Sequence, residues 1–267
     1  MMPIRRAFAD LSIGQVHFAS CGDAAAPAVL LLHQTPRSWL EYREVLPLLG
    51  TRYRAIAMDT PGFGDSAALP GPASIEGWAA IAAELLDALS IARAHVVGHH
   101  TGGVIALQLA AACAPRVASL VLSSTPFTGE AFRRARRERP PIDAVESSGD
   151  GSHLAMLWQR RQGFYPPGRA DLLGAFVCDA LKVSGDVEGG HRAVASYRME
   201  DHIGRVSQPT LLIHATDDPF AAPHLPEWRA QVPHARVAEI AGGMVPLPDQ
   251  LPQVFARTVL GFLDRLA

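Results

Sequence analysis

Short apolar runs alternate with helical patterns along most of the chain, and this alternation limits the fold more than any other feature of the sequence. A chain that alternates strands and helices in this way builds a mostly parallel sheet with helices on both faces. The class is therefore α/β. The predicted strands are Gln15–Ala19, Ala28–His33, Arg54–Asp59, His95–Gly98, Ser119–Ser123, Thr210–Ala215 and Arg236–Ile240, and the predicted helices are Trp39–Leu49, Ile75–Leu89, Gly102–Ala112, Pro226–Val232 and Pro252–Leu266.

The alternation stops between residues 126 and 204, where the sequence is richer in Arg, Pro and Gly and indicates several helices without strands. We therefore expect residues 1–125 and 205–267 to form one α/β core and residues 126–204 to form an inserted helical cap. The cap contains the run RRARRER, from Arg133 to Arg139. Such a run is typical of a solvated helix face. A landing patch for an acidic substrate is the alternative.

Composition excludes several classes of protein. The formal net charge is −2 over 267 residues, so it gives no electrostatic reason to expect nucleic acid or an anionic membrane as partner. Three widely spaced cysteines form no disulfide framework and fit a reducing cytoplasm. No apolar run follows the first arginines, so neither a signal peptide nor a transmembrane span is expected. We find no dinucleotide or phosphate-loop signature and expect no cofactor.

The stretch HVVGHHTGGVIALQLAAA, from His95 to Ala112, combines a strand, a glycine-rich turn and a long apolar helix. That layout is typical of a nucleophile elbow, G-x-Nu-x-G, in which the middle residue sits on a strained turn and is normally serine. In this chain the middle residue is His100.

Four motifs, in order and spanning almost the whole chain, resemble those of the α/β-hydrolase fold family. VLLLHQTPRSWLEYREVLPLL is similar to that family's strand, oxyanion loop and first helix. YRAIAMDTPGFGDS resembles its D-x-P-G-x-G-x-S segment, and VVGHHTGG resembles its elbow. PTLLIHATDDPFAAP is similar to the strand that ends in the acid of the catalytic triad. The resemblance implies an α/β-hydrolase core with a cap.

Three positions depart from that family's pattern. His100 replaces the serine, and His33-Gln34 replaces the usual His-Gly of the oxyanion loop. In IAGGMVPLPDQLP, the triad histidine is either replaced by Met244 or deleted between Gly243 and Met244. A serine hydrolase needs a hydroxyl, a base and an orienting acid. The usual acyl-serine mechanism is therefore not expected, although the acid survives as Asp218, with Asp217 as the alternate.

His100 has two interpretations. In one, the site is degenerate and only the fold remains. In the other, the long imidazole extends into the space that the missing histidine leaves, and hydrogen-bonds Asp218. An imidazole titrates near neutral pH, which suits a general base. We favour this His–Asp dyad, while Asp218 as a simple turn residue before Pro219 remains the alternative.

Four further residues are predicted to lie at the site. Gln34 and Thr101 correspond to positions whose backbone N–H groups bind an oxyanion in the family that the chain resembles. His153 and Trp158 lie in the predicted cap and are candidates to face the pocket. Histidines are numerous, but none has a local metal-ligand spacing, so no metal site is expected.

The sequence thus predicts an enzyme that acts on a small, largely apolar molecule such as an ester, a lactone or a related acyl compound. His100 would activate water, although direct attack to give an acyl-imidazole is a further route. Two alternatives stay open. The same pocket could abstract a proton in a lyase or isomerase reaction, or it could bind a ligand without catalysis.

Overall fold

The computed structural model describes residues 2–137, 139–183 and 185–266, and within them the chain forms a single eight-stranded sheet. The sheet order is β1-β2-β4-β3-β5-β6-β7-β8. β1 and β2 pair antiparallel, as do β2 and β4, and the other neighbours are parallel. The strands are β1 (Arg5–Leu11), β2 (Gly14–Cys21), β3 (Ala28–Leu32), β4 (Arg54–Met58), β5 (Ala94–His99), β6 (Val117–Ser123), β7 (Thr210–Ala215) and β8 (Arg236–Ile240). The predicted α/β class and mostly parallel sheet are confirmed.

Helices cover both faces of this sheet. They are α1 (Leu46–Leu49), α2 (Ile75–Ala88), α3 (Thr101–Ala112), α4 (Glu130–Arg137), α5 (Ser152–Gln162), α6 (Ala170–Lys182), α7 (Gly189–Ser196), α8 (Leu225–Gln231), α9 (Leu247–Gln250) and α10 (Pro252–Leu263). Short 3-10 helices lie at Trp39–Tyr42, Ala114–Arg116, Met199–Asp201, Ile203–Arg205 and Ala222–His224. In the described ranges, no helix is both long and apolar enough to cross a membrane.

Alternation of side chains along the strands divides the core into two layers. In β3, Leu30 and Leu32 pack with α2, α3 and α8, whereas Val29 and Leu31 pack with α1 and α10. All four side chains are fully buried, as expected for a central strand with helices on both faces.

Helices α4 to α7 lie between β6 and β7, and the described residues of that segment contain no strand. The segment has its own small apolar cluster, which includes Leu157, Leu173 and Phe176. It is also attached to the sheet by buried polar contacts. Arg37, in the loop after β3, donates to Asp179 of α6 at 2.8 Å and to Asp249 of α9 at 2.7 Å.

Two predicted elements differ from the structure. β1 was not predicted, because it is an edge strand in which Ala9 is the one buried residue, so it lacks an apolar pattern. The predicted helix Trp39–Leu49 is two short helices, Trp39–Tyr42 and α1. Pro47 at the start of α1 supplies no backbone N–H, and proline favours helix beginnings over interiors.

Candidate active site

The turn between β5 and α3 places His100 at the carboxyl edge of the sheet, where parallel sheets bind ligands. His100 has φ +48° and ψ −115°, a backbone region that side chains other than glycine seldom adopt. The turn is tight, since a Cβ atom at Gly102 would collide with the carbonyl group of Leu32. His100 therefore lies on a tight turn between a strand and a helix, with a backbone conformation that is rare outside glycine.

A short hydrogen bond joins His100 to Asp218. His100 Nε2 lies 2.6 Å from Asp218 Oδ2, and the carboxylate is fully buried while 12% of the His100 side chain is exposed. Asp218 Oδ1 accepts from the backbone N–H groups of Phe220 at 2.9 Å and Ala221 at 3.2 Å. Both carboxylate oxygens are therefore fixed, and no other imidazole lies between the two groups among the described residues.

The surroundings of Asp218 keep it ionised. Burial alone would raise its pKa, but the His100 ring and the N–H of Phe220 outweigh burial, and the pKa lies below its ordinary value. Asp217, the alternate acid, is exposed and accepts a hydrogen bond from Thr216 instead. Of the two acids that the sequence left open, Asp218 and Asp217, the one that contacts His100 is Asp218.

The hydrogen bond to Asp218 determines the tautomer of a neutral His100. A carboxylate only accepts, so Nε2 must carry the hydrogen and Nδ1 must carry the lone pair. Within the described residues, Nδ1 of His100 has no hydrogen-bond partner. His100 therefore offers one free, basic nitrogen.

His100 lines a cavity of about 770 Å³ between the sheet edge and the helices that follow β6. Its apolar wall includes Phe132, Ile142, Phe164 and Phe220. Among the described lining residues there is no serine and no cysteine. The two lining hydroxyls, of Thr35 and Thr101, lie 3.0 Å apart and bond to each other.

Gln34 lines the cavity, but its backbone N–H is not directed to a ligand. That N–H donates to Glu41 Oε2 at 2.9 Å, and the side-chain amide donates to Glu41 Oε1 at 2.5 Å. The predicted use of the Gln34 N–H as an oxyanion donor is therefore not supported by the structure. The physical reason is Glu41, a buried acceptor that sequence reasoning did not identify.

The backbone N–H of Thr101 lies at the beginning of helix α3. Because Thr101 is the first residue of that helix, its N–H has no partner four residues earlier in the helix. The positive end of the helix dipole also lies there. Thr101 lines the cavity next to His100.

His153 and Trp158 do not line the cavity, contrary to the prediction. His153 Nδ1 accepts a hydrogen bond from the N–H of Ser148 at 3.2 Å, near the start of α5. Trp158 packs against the apolar cluster around Leu157. The other end of α5 reaches the cavity, through Arg160 and Arg161.

A family model described as the α/β hydrolase fold matches residues 27–244. This chain belongs to the α/β hydrolase fold family. The family resemblance read from the sequence motifs is thereby confirmed.

Several known proteins are similar to this α/β hydrolase family member over most of its length. A protein of Azorhizobium caulinodans with the name "Putative carbamate hydrolase RutD" is 29% identical over 84% of this chain and 86% of its own. The magnesium-chelatase 30 kDa subunit of Rhodobacter capsulatus is 29% identical over 90% of this chain and 89% of its own. The enol-lactonase of Burkholderia xenovorans LB400 has the same fold, with TM-score 0.81, 22% identity, and coverage of 97% of this chain and 100% of that one.

A second histidine, His99, lies close to the loop that carries Met244. His99 Nε2 lies 2.8 Å from the carbonyl oxygen of Val245, and Nδ1 lies 3.0 Å from the Ser123 hydroxyl. Burial, together with the neighbouring His100, lowers the pKa of His99 to about 3. His99 is thus a neutral residue whose two ring nitrogens are both hydrogen-bonded within the fold. The imidazole that contacts Asp218 is that of His100.

The helical segment contributes polar residues to the cavity, of which the sequence indicated only those in the run from Arg133 to Arg139, as an alternative to a solvated helix face. These polar residues are Arg136, Arg139, Arg160, Arg161 and His191. The run RRARRER was the available signal, but its periodicity could not show which arginines face inward. Asp143, Glu188 and His191 also cluster closely enough to hold a metal ion. Arg161 and backbone N–H groups already bind these two carboxylates, so the donor set is occupied.

Proposed function

We propose that this protein is a hydrolase of small acyl compounds, such as esters, lactones or carbamates, in which His100 is the general base and Asp218 orients it. The observation that carries the proposal is the 2.6 Å hydrogen bond between His100 Nε2 and Asp218 Oδ2 at the floor of the cavity. It pairs a buried carboxylate with an imidazole whose other nitrogen is free. We also propose that residues 126–204 act as the cap over this site.

In the proposed reaction, Nδ1 of His100 takes a proton from a water molecule while the water oxygen attacks the acyl carbon. Asp218 stabilises the imidazolium that forms, as the acid does in a catalytic triad. The tetrahedral intermediate then breaks its bond to the leaving oxygen or nitrogen, which receives the proton from His100. Water is consumed, and an acid and an alcohol or amine are released.

The developing negative charge on the acyl oxygen needs hydrogen-bond donors. We propose that the N–H of Thr101, at the positive end of α3, is one of them. The N–H of Gln34 is bound to Glu41, so this chain would stabilise the oxyanion less than a two-donor hole does. We therefore expect modest turnover.

Two features favour this route over acyl transfer to a hydroxyl or thiol group. The described cavity wall offers no serine or cysteine, and its threonine hydroxyls bond to each other rather than to an imidazole.

Among relatives of similar length, the Azorhizobium protein is named as a carbamate hydrolase, which is why carbamates join esters and lactones as substrates to test.

The test is a panel of aryl esters, lactones, thioesters and carbamates, assayed with the wild type and with His100→Ala. We expect hydrolysis above background that falls by about a hundredfold or more in His100→Ala. Release of a product formed without addition of water would indicate a lyase or isomerase instead. Background rates with both proteins, together with retained ligand binding, would indicate a non-catalytic binder.

A further inference from the structure

The charged side chains of the cavity wall are all of one sign. Arg136, Arg139, Arg160 and Arg161 line the cavity, and no aspartate or glutamate does so among the described lining residues. All four come from the helical segment, opposite the sheet edge that carries His100. The cavity therefore has a basic wall facing its proposed catalytic base.

Arg136 is partly buried in this wall and has one distant acidic partner among the described residues. Only 16% of its side chain is exposed, and Glu188 Oε2 lies 3.9 Å from its Nη2. Its guanidinium donates no hydrogen bond within the described residues, although the group carries five N–H donors. Burial lowers the pKa of Arg136, and the positive charges of Arg139 and Arg161 add to this effect, while the carboxylates of Glu188 and Asp143 oppose it.

The acids behind the wall bind Arg161 more closely than Arg136. Asp143 binds both Arg161 and His191. Glu188 Oε1 accepts from the N–H groups of Ile142 and Ala144, among others, and Glu188 Oε2 lies 3.9 Å from Arg136, too far for a hydrogen bond. A partly buried guanidinium with unused N–H donors is costly, and an anion in the cavity would accept hydrogen bonds from them.

We infer that the substrate is amphiphilic: an apolar acyl compound with a free carboxylate that binds Arg136, assisted by Arg139 and Arg160. The phenyl groups of Phe132, Phe164 and Phe220 line the same cavity as His100 and the arginines, and they fit the apolar part of such a substrate. This inference rests on the proposed hydrolysis in the same cavity and names its substrate class.

The test compares two esters that differ in one charge, monoethyl glutarate and diethyl glutarate. We expect the wild type to have a higher kcat/KM for the acid ester, since an anion bound to a guanidinium gains about tenfold to a hundredfold. In Arg136→Gln, the ratio of the two kcat/KM values should fall toward one, while Arg136→Lys should retain part of it. Arg134→Gln is the matched control, because Arg134 is exposed on the same helix and lies outside the cavity wall.

A binding measurement keeps this inference separate from the proposed reaction. Calorimetry with glutarate uses His100→Ala, with and without Arg136→Gln. Binding that weakens about tenfold or more in the double variant supports the inference even if neither ester is hydrolysed, in which case the proposed hydrolysis is wrong. Hydrolysis of both esters with a ratio that Arg136→Gln does not change would overturn the inference and leave the hydrolysis intact. The absence of glutarate binding at millimolar concentration, or tighter binding of inorganic phosphate than of glutarate, would also overturn it.

Discussion

At the scale of single residues, the hydrogen bond between His100 and Asp218 determines which ring nitrogen is free to accept a proton. In a usual triad the acid binds Nδ1 and Nε2 acts as the base. In this chain Asp218 binds Nε2, so the proposed base is Nδ1. The inversion follows from the position of the imidazole, which starts at the turn and extends toward the acid.

Replacing Asp218 tests this orientation. In Asp218→Asn the amide can donate to Nε2, which moves the ring hydrogen to Nδ1 and removes the free lone pair. We expect kcat to fall by about a hundredfold or more. Asp217→Asn is the matched control, since Asp217 is exposed and makes no contact with His100. Similar rates in the two variants would mean that Asp218 does not orient a base.

A serine reagent tests the absence of a nucleophilic hydroxyl. We expect a fluorophosphonate to leave the wild type unlabelled and active, because no serine lines the described cavity. His100→Ser should not restore activity, because that serine would have no base to take its proton. Only His100→Ser combined with Met244→His is expected to give slow ester hydrolysis and labelling, both read by intact-mass spectrometry and ester assay. Stoichiometric labelling of the wild type with loss of activity would refute the proposal.

The low pKa of His99 predicts how the free energy of unfolding depends on pH. Its pKa is about 3 in the folded protein, whereas an unfolded histidine has a pKa of about 6.5. Between these values the unfolded chain binds a proton that the folded chain does not, so the free energy of unfolding falls as the pH falls below about 6.5. Relative to His99→Asn, the wild type should lose about 1.4 kcal/mol per pH unit in this window. Parallel denaturant-unfolding profiles of the two proteins between pH 7 and pH 5 would contradict a neutral His99.

At the scale of elements, Arg37 connects the loop after β3, helix α6 and helix α9. Its guanidinium is fully buried between Asp179 and Asp249. Removing one partner from a buried ion pair leaves an uncompensated charge, which costs more than an exposed pair ever gains.

We therefore expect Arg37→Leu to lower the free energy of unfolding by about 3–5 kcal/mol. The matched control is Arg52→Leu, which removes the exposed pair between Arg52 and Asp264 and should cost less than about 1 kcal/mol. Urea unfolding at neutral pH measures both. Equal losses would show that the buried pair contributes no more than a surface contact.

The sequence closely predicted the strands that follow β1. β7 and β8 match their predicted bounds, although β8 is a partly exposed edge strand, and β2 to β6 differ by one or two residues at one or both ends. β1 was missed because an exposed edge strand needs no apolar pattern, and the helix from Trp39 was broken by a local effect of Pro47.

Part of the site could be predicted from the sequence, and part of it could not. His100 and Asp218 were predictable because each follows a buried strand at the same sheet edge. The hydrogen bond from the backbone N–H of Gln34 to Glu41 joins two residues seven positions apart. Neither helix nor strand periodicity predicts such a contact. The inward arginines depend on how α4 and α5 pack, so RRARRER could not identify Arg136 alone.

At the scale of the whole molecule, two surfaces of different origin enclose the cavity. The sheet edge supplies a proposed base held by a buried acid, and the helical segment supplies a basic, partly apolar wall. The two surfaces come from different parts of the fold. The geometry of the site therefore depends on buried polar contacts, such as the one between Arg37 and Asp179, that hold the helices against the sheet.

The most direct test of this account is the kcat/KM of His100→Ala relative to the wild type, measured on the acyl panel with monoethyl glutarate included. We predict measurable hydrolysis by the wild type and a kcat/KM about a hundredfold or more lower in the variant, with thermal stability retained. Equal rates in the two proteins, whether at background or above it, would contradict His100 as the catalytic base.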